Sequence, residues 1–440
     1  MLTLVFLVLA IVFIVVSSTR FNLHPFLSLL IAAIFVGFSG GLDAAAVITA
    51  ITDGFGSTLK SIGIVIAFGA IIGVFLERSG GAQALAAFVL KLVGEKRAPL
   101  AMNITGYIVS IPVFCDSGFV ILSALNKAIS KKTGLSMTIL AVALATGLYS
   151  THVFVPPTPG PLAAAATLNV DIGLVILLGL VVAIPASLAG LLWACFYGKR
   201  FHVTPQENVE AESVRQPHPA VSAAFTPLLT PIALIALRSV ADLPGLPFGQ
   251  GWFYQVIMFL GNPVTALLIG VLLSFTLKSR KVKESAMDWV GEGLKSAGVI
   301  ILITGAGGAF GGILRATHIG DTLGNALSQW QIGIFLPFII AAVLKTAQGS
   351  STVAIITTAA LVSPLLPAMG LDSSLARALV VLAIGAGSMT VSHANDSYFW
   401  VVEQFSDMDT ATALKCHTMA TLMQGLVGIA VIALLTMVMV

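Results

Sequence analysis

The chain has 440 residues, of which 57% are hydrophobic and only 9% charged, and its mean hydropathy is +1.02. A soluble exterior needs about a quarter of residues charged, so most of this chain's outside must face lipid, and we read it as a polytopic membrane protein. The net charge of +3 sits in short loops, which argues against a nucleic-acid groove and an acidic protein partner, and the scattered Cys115, Cys195 and Cys416 imply no disulfide framework.

Leu2 to Ser18 is apolar, but no basic residue precedes it, no Ala-x-Ala site follows it, and Arg20 comes after it. It is read as a retained span with its N-terminus outside. Given about 20 apolar residues per crossing, full spans are expected at 2–19, 23–40, 61–77, 172–197, 223–240, 253–277, 298–314 and 411–439. Four stretches do not fit. Residues 98–129 break at Pro112-Val-Phe-Cys-Asp-Ser-Gly118 and have basic residues at both ends, which describes a re-entrant hairpin. Residues 331–366 repeat the pattern around Lys345-Thr-Ala-Gln-Gly-Ser-Ser-Thr352. Residues 135–170, broken by the prolines that follow Val155, and 373–409, broken at Val391-Ser-His-Ala-Asn-Asp-Ser397, read as interrupted spans.

These features come in pairs. Leu59-Lys-Ser-Ile-Gly63 recurs as Leu294-Lys-Ser-Ala-Gly298, Gly69-Ala70 with Gly73 as Gly308-Ala309 with Gly312, and Thr151-His152 as Ser392-His393, at offsets of 235 to 241 residues. Basic loops at 91–97 and 127–132 have uncharged or acidic partners near 328–334 and 364–372, whereas the basic run at 278–283 answers a first-half loop holding only Asp43. The expectation is an all-α polytopic membrane protein of two inverted repeats, each with five transmembrane helices and one re-entrant hairpin. The first repeat covers 1–197, a cytoplasmic linker 198–222, and the second repeat 223–440, with both termini outside. His202 and His218 lie in the linker and read as solvated.

Nonhelical backbone at membrane depth persists only where protein buries it or it lines a cavity. Symmetrically placed breaks therefore point to one cavity, and exposed helix N-termini make an anion site. The breaks carry Ser117, Ser150, Thr151, Thr158, Gln348, Ser350, Ser351, Thr352, Ser392, Asn395 and Ser397. Such groups suit a polyhydroxylated or small polar carboxylate, and each is equally able to satisfy its own loop. Asp116, His152, Lys345, His393 and Asp396 are ionisable groups expected inside the membrane, where charge is costly. Asp116, Asp396, His152 and His393 are candidates for the coupling proton, set against helix capping for the aspartates and a structural role for the histidines. Lys345 has three readings: binding a carboxylate, neutralising an acid, or reaching the outer interface. Glu77 and Arg78 read as part of an interfacial ion pair. Gly305-Ala-Gly-Gly-Ala-Phe-Gly-Gly312 reads as close helix packing, not a nucleotide loop, and no Walker-type lysine motif occurs.

Phe114-Cys-Asp-Ser-Gly118, Tyr149-Ser-Thr-His152 with Pro156-Pro-Thr-Pro-Gly160, Gln348-Gly-Ser-Ser-Thr352 and Val391-Ser-His-Ala-Asn-Asp-Ser397 resemble the gluconate permease family of proton symporters, within the ion transporter superfamily. The likeness runs over nearly the whole chain. It implies a bacterial inner-membrane carrier that is not an enzyme, takes up gluconate or a related acid such as glycerate, idonate or D-serine with a proton, and needs no cofactor. It further implies a homodimer whose hairpin-bearing part moves as an elevator against a scaffold. On this reading Ser117, Gly118, Gly349, Ser350, Ser351 and Thr352 hold the substrate carboxylate, Thr158, Gln348 and Asn395 address its hydroxyls, and Asp116 or Asp396 exchanges the proton. The alternatives are sodium coupling, a channel, and an intramembrane hydrolase or metalloenzyme built on Cys115, His152 and His393; no His-Glu-x-x-His spacing supports the last.

Overall fold

The structure is a computed structural model describing residues 6, 9, 10, 12–14, 16, 17, 21, 23–205, 219–242, 248–278, 284–317, 332–393 and 396–440, without the Gln348 side chain. The expected site residue Asn395, the linker histidine His218 and most of the linker lie outside the described residues. All regular elements among the described residues are helical. The first half comprises α1 (Pro25–Ser39), α2 (Ala44–Arg78), α3 (Gly81–Val93), α4 (Ala98–Val109), α5 (Cys115–Thr133), α6 (Met137–Phe154), α7 (Pro159–Thr167) and α8 (Ile172–Phe196). The second comprises α9 (Val221–Ala241), α10 (Trp252–Leu260), α11 (Pro263–Ser274), α12 (Ala286–Ala316), α13 (Phe335–Gln348), α14 (Ser351–Val362), α15 (Ser374–Met389), α16 (Ser397–Phe405), α17 (Thr410–Ala413) and α18 (Met419–Met439). Six helical stretches are long and apolar enough to cross a membrane, or seven if α10 and α11 count as one bent span.

All four expected interruptions are present, between α4 and α5, α6 and α7, α13 and α14, and α15 and α16. Three expected spans need correction. The spans at 61–77 and 298–314 are the later parts of α2 and α12, continuous helices of 35 and 31 residues. Asp43 caps α2 through the Ala46 N–H at 2.8 Å, and Ser285 with Asp288 forms a capping box on α12, so both helices start well before their most apolar stretch. The span at 253–277 is bent by 65° at Gly261-Asn262. There Asn262 accepts from the Val264 N–H at 3.0 Å and starts a new helix with Pro263 in its first turn. Within 411–439 the chain is helical but takes a π turn at Leu414–Thr418.

The α2–α12 pair forms the spine. A Cβ on Gly312 would stand 2.5 Å from the Ala50 carbonyl, one on Gly293 2.8 Å from Ile71 Cα, and one on Gly54 would strike the Gly308 carbonyl. Near the other end of α2 the Phe75 and Trp289 rings meet at 5.2 Å. Partner numbers on α12 fall as those on α2 rise, so the two helices run antiparallel. The glycine run of α12 thus serves close packing, as expected from its spacing. Arg78 pairs with Glu292 of α12 at 2.8 Å and not with Glu77; an exposed pair of this kind contributes at most about 1 kcal/mol.

The same substitution at two glycines of one helix should have opposite consequences. Gly54→Ala places a methyl on backbone and should cost about 1–3 kcal/mol, whereas Gly56→Ala meets nothing within 4 Å and should be neutral or stabilising by up to about 1 kcal/mol. Thermal unfolding midpoints of the two variants in detergent check this; equal midpoints would refute the crossing.

Candidate functional site

Each break has a local cause. After α4, the Ser110 hydroxyl donates to the Val113 carbonyl at 3.0 Å, and Pro112 lies on α2 where a Cβ on Gly73 would stand 2.7 Å from its carbonyl. Thr158 folds back to donate to the Val155 carbonyl at 2.5 Å, while Pro157 rests on Gly69 of the same helix. Gly349 ends α13 in the left-handed region at φ +85°, and Ser350 caps α14 by accepting from Val353 N–H at 3.3 Å. The fourth break holds Val391 at φ +55°, a conformation that costs a β-branched residue of order 1–3 kcal/mol and persists only where surroundings impose it. Those surroundings are Thr421, which accepts from the Ser392 N–H at 3.0 Å, and Thr418, which donates to the Ser392 carbonyl at 2.5 Å.

The breaks meet. Lys345, 1% exposed, places its ammonium 2.5 Å from Asp396 Oδ2 and also donates to the Gly349 carbonyl. Asp396 accepts in addition from the Ser392 hydroxyl and from the Tyr398 N–H at 3.1 Å, and so caps α16 while pairing with Lys345. The Lys345 ammonium lies 5.8 Å from the ring centre of Tyr149, on the last turns of α6. Tyr149 packs on Tyr398 at 5.2 Å and stacks on His152 at 6.5 Å, and Phe114 of the first break meets His152 at 6.2 Å. Asp116 closes the ring, accepting from Ser397 at 3.4 Å and from the Cys115 thiol at 3.7 Å. A half-buried Lys127–Asp407 pair at 2.9 Å ties α5 to the turn after α16 on the side of the basic loops.

Of the expected site residues, the structure brings together Asp116, Ser351, Asp396 and His152. Ser117 is half-buried in the first turn of α5, within reach of Glu77, and Ser351 lies beside Tyr149. His152 is buried with no partner for Nδ1 among the described residues. His393 is half-buried, its Nε2 3.0 Å from the Thr346 carbonyl. Gly118 packs so closely on Leu148 that a Cβ would meet it at 2.7 Å, and the hydroxyls of Thr158 and Ser350 bond their own loops. Thr352 is half-buried on the first turn of α14. Of the three readings for Lys345, the structure shows the neutralised acid, Asp396, and its burial removes the outer-interface reading. His417 belongs to the cluster without any signal in the sequence, its buried ring against Tyr398 at 5.5 Å on the π turn. Among the described residues, no three His, Cys, Asp or Glu gather as a metal-holding group.

The family model for the GntP family permease matches residues 2–438. The chain belongs to this family of permeases. It is 34% identical to the gluconate permease of Pseudomonas aeruginosa over 97% of this chain and 95% of that protein. It is also 34% identical to the D-serine transporter DsdX of Escherichia coli, over 96% of each. An uncharacterized permease of Haemophilus influenzae is 37% identical over 97% and 91% of the two chains. The fold is that of the YdaH transporter of Alcanivorax borkumensis, with a TM-score of 0.67 at 14% identity covering 94% of this chain and 98% of that one. It is equally that of MtrF of Neisseria gonorrhoeae, with a TM-score of 0.69 at 16% identity covering 96% of each. The protein is a multi-pass membrane permease.

Removing one partner of a buried ion pair leaves the other uncompensated, at a cost of about 3–5 kcal/mol. Lys345→Met should therefore lower stability by that order, and adding Asp396→Asn should recover part of the loss. Thermal unfolding of the two single variants and the double variant forms the cycle; additive losses would show that the pair does not hold the cluster together.

Proposed function

We propose that this permease carries a small hydroxy or amino carboxylate, gluconate or a close relative, into the cell together with a proton. The observation that carries the reading is the Lys345–Asp396 pair at the meeting of the broken helices, with Asp116 beside it lacking a cation partner among the described residues. Relatives named for gluconate and for D-serine support the substrate class. One cation with two carboxylates gives the empty cluster a charge of −1, and an incoming carboxylate would make it −2. Like charges in a partly desolvated site repel strongly, so anion binding calls for a proton, and Asp116 is the acceptor left free by the pairing. Lys345 then shares its hydrogen bonds between Asp396 and the substrate carboxylate. The amides and hydroxyls around Ser117, Gly118, Gly349, Ser350, Ser351 and Thr352 complete the cradle, with Thr158, Gln348 and Asn395 toward the substrate hydroxyls.

The same reading assigns α2 and α12 to a scaffold and the broken helices to a part that moves as an elevator, in a homodimer in the bacterial inner membrane with both termini periplasmic. It makes the α4–α5 and α13–α14 pairs re-entrant hairpins of two inverted repeats. The antiparallel course of α2 and α12, which carry the matching Leu-Lys-Ser motifs, supports the inversion.

Uptake of labelled gluconate, glycerate and D-serine into vesicles under an imposed pH gradient tests the proposal. Accumulation of one of them should need the gradient and persist when choline replaces sodium; accumulation that follows sodium would replace the coupling ion. Asp116→Asn should abolish gradient-driven accumulation while sparing exchange of labelled for unlabelled substrate. Wild-type accumulation in that variant would remove Asp116 from the role.

A further inference from the structure

A cavity of about 420 Å³ lies away from the cluster, within the roughly 300–1,000 Å³ typical of small-molecule sites. Its walls include Ser57 and Ser61 of α2, Arg315 of α12, Asn169 after α7 and Arg377 of α15. It sits at the far ends of α7 and α14, a helix length of roughly 14 to 18 Å from the breaks, and on the face opposite the basic loops at 91–97 and 127–132. Between cavity and cluster α7 and α14 touch, where a Cβ on Gly160 would stand 2.7 Å from Ile355 Cδ1.

The two arginines on this cavity differ. Arg377 is engaged, holding Asp372 at 2.6 Å and donating to the Leu168 carbonyl at 3.0 Å. Arg315 has no carboxylate or carbonyl partner among the described residues. Helical side chains lean toward the N-terminus of their helix, and this one folds back over Gly311, with Nη1 3.7 Å from where a Cβ would stand there. An arginine in the last turn of a helix can reach the interface; the exposed Arg315 is directed back along α12 and lines the cavity. The described charges on the cavity, Arg315 and Arg377 against Asp372, leave it at +1. Ser57 and Ser61 donate to carbonyls of their own helix at 3.1 and 2.9 Å, which leaves their lone pairs to accept from hydroxyls.

We infer that this cavity is an outer anion-binding vestibule in which Arg315 captures the carboxylate of an incoming hydroxy acid, with Ser57 and Ser61 accepting from its hydroxyls, before the acid passes to the cluster. The inference rests on the transport reading above. The guanidinium offers a planar fork that matches a carboxylate.

The test is the concentration dependence of labelled gluconate, glycerate or D-serine uptake, whichever wild type accumulates, in right-side-out and inside-out vesicles. Arg315→Gln should raise KM about tenfold or more from the outer face with kcat nearly unchanged, as expected for loss of one charged hydrogen bond. KM from the inner face should not move. Arg315→Lys should keep much of the outer-face affinity, and added salt should lower wild-type kcat/KM more than that of Arg315→Gln. An unchanged outer KM, or an equal rise on both faces, would overturn the vestibule while wild-type uptake leaves the transport reading standing. A wild-type protein that accumulates none of the three acids defeats both.

Discussion

A lysine ammonium buried at membrane depth must find an anion, and Lys345 finds Asp396. This pair decides more than local charge. Lys345 belongs to α13 and Asp396 to the break before α16, so the pairing fixes two interrupted elements to each other across 51 residues of sequence. The Lys345 bond to the Gly349 carbonyl satisfies an orphan group at the end of α13. Asp396 likewise satisfies the first turn of α16 through Tyr398. One ion pair therefore caps two half-helices and sets the ammonium over the ring of Tyr149 on α6.

The cluster holds its position because the elements around it approach at backbone distance. Gly69 and Gly73 lie one turn apart on α2 and receive Pro157 and Pro112, the tips of two different breaks. Gly147 of α6 admits the Asn103 carbonyl of α4, and Asn103 itself accepts from Ser187 of α8 at 2.9 Å. Packing without Cβ atoms serves a lipid-facing protein well, since between helices in a bilayer close van der Waals contact and hydrogen bonds take the place of the hydrophobic drive. The spine is built the same way, and because Ile71 and Phe75 face α12 while Gly69 and Gly73 face the breaks, α2 stands between the two.

The interruptions were legible because proline, glycine and hydroxyl residues are punctuation whatever the tertiary context. Helix starts were less so. The early turns of α2 carry Thr52, Asp53, Ser57 and Lys60, which a hydropathy window takes for a loop. They instead form one exposed face, with Gly54 and Thr58 buried on the other. The bend at Gly261-Asn262 was written as an Asn-Pro start signal inside an apolar run, and the run hid it. The destination of Lys345 could not be read at all, because three fates suit a lysine at the end of an apolar stretch and only the fold brings Asp396 to it. His417 had still less to announce it: a π turn has no residue signature, and an isolated histidine on an apolar helix looks like any core residue.

On the proton symport proposed above, Lys345 with the carboxylates of Asp396 and Asp116 gives the empty cluster −1. Substrate anion plus proton adds nothing net, so the loaded cluster is also −1. On that proposal the part that moves bears the same net charge loaded and empty, so neither half of the cycle is disfavoured by a change of net charge. A lone lysine at the centre would lack this balance, because it would bind an anion tightly, cross neutral when loaded and cross charged when empty. In the proposed cycle, partnering Lys345 with Asp396 would weaken its hold on the substrate and let the proton decide when binding is strong. On the same proposal Arg315, without a carboxylate partner among the described residues, sits on α12 of the scaffold and so does not travel with the cargo.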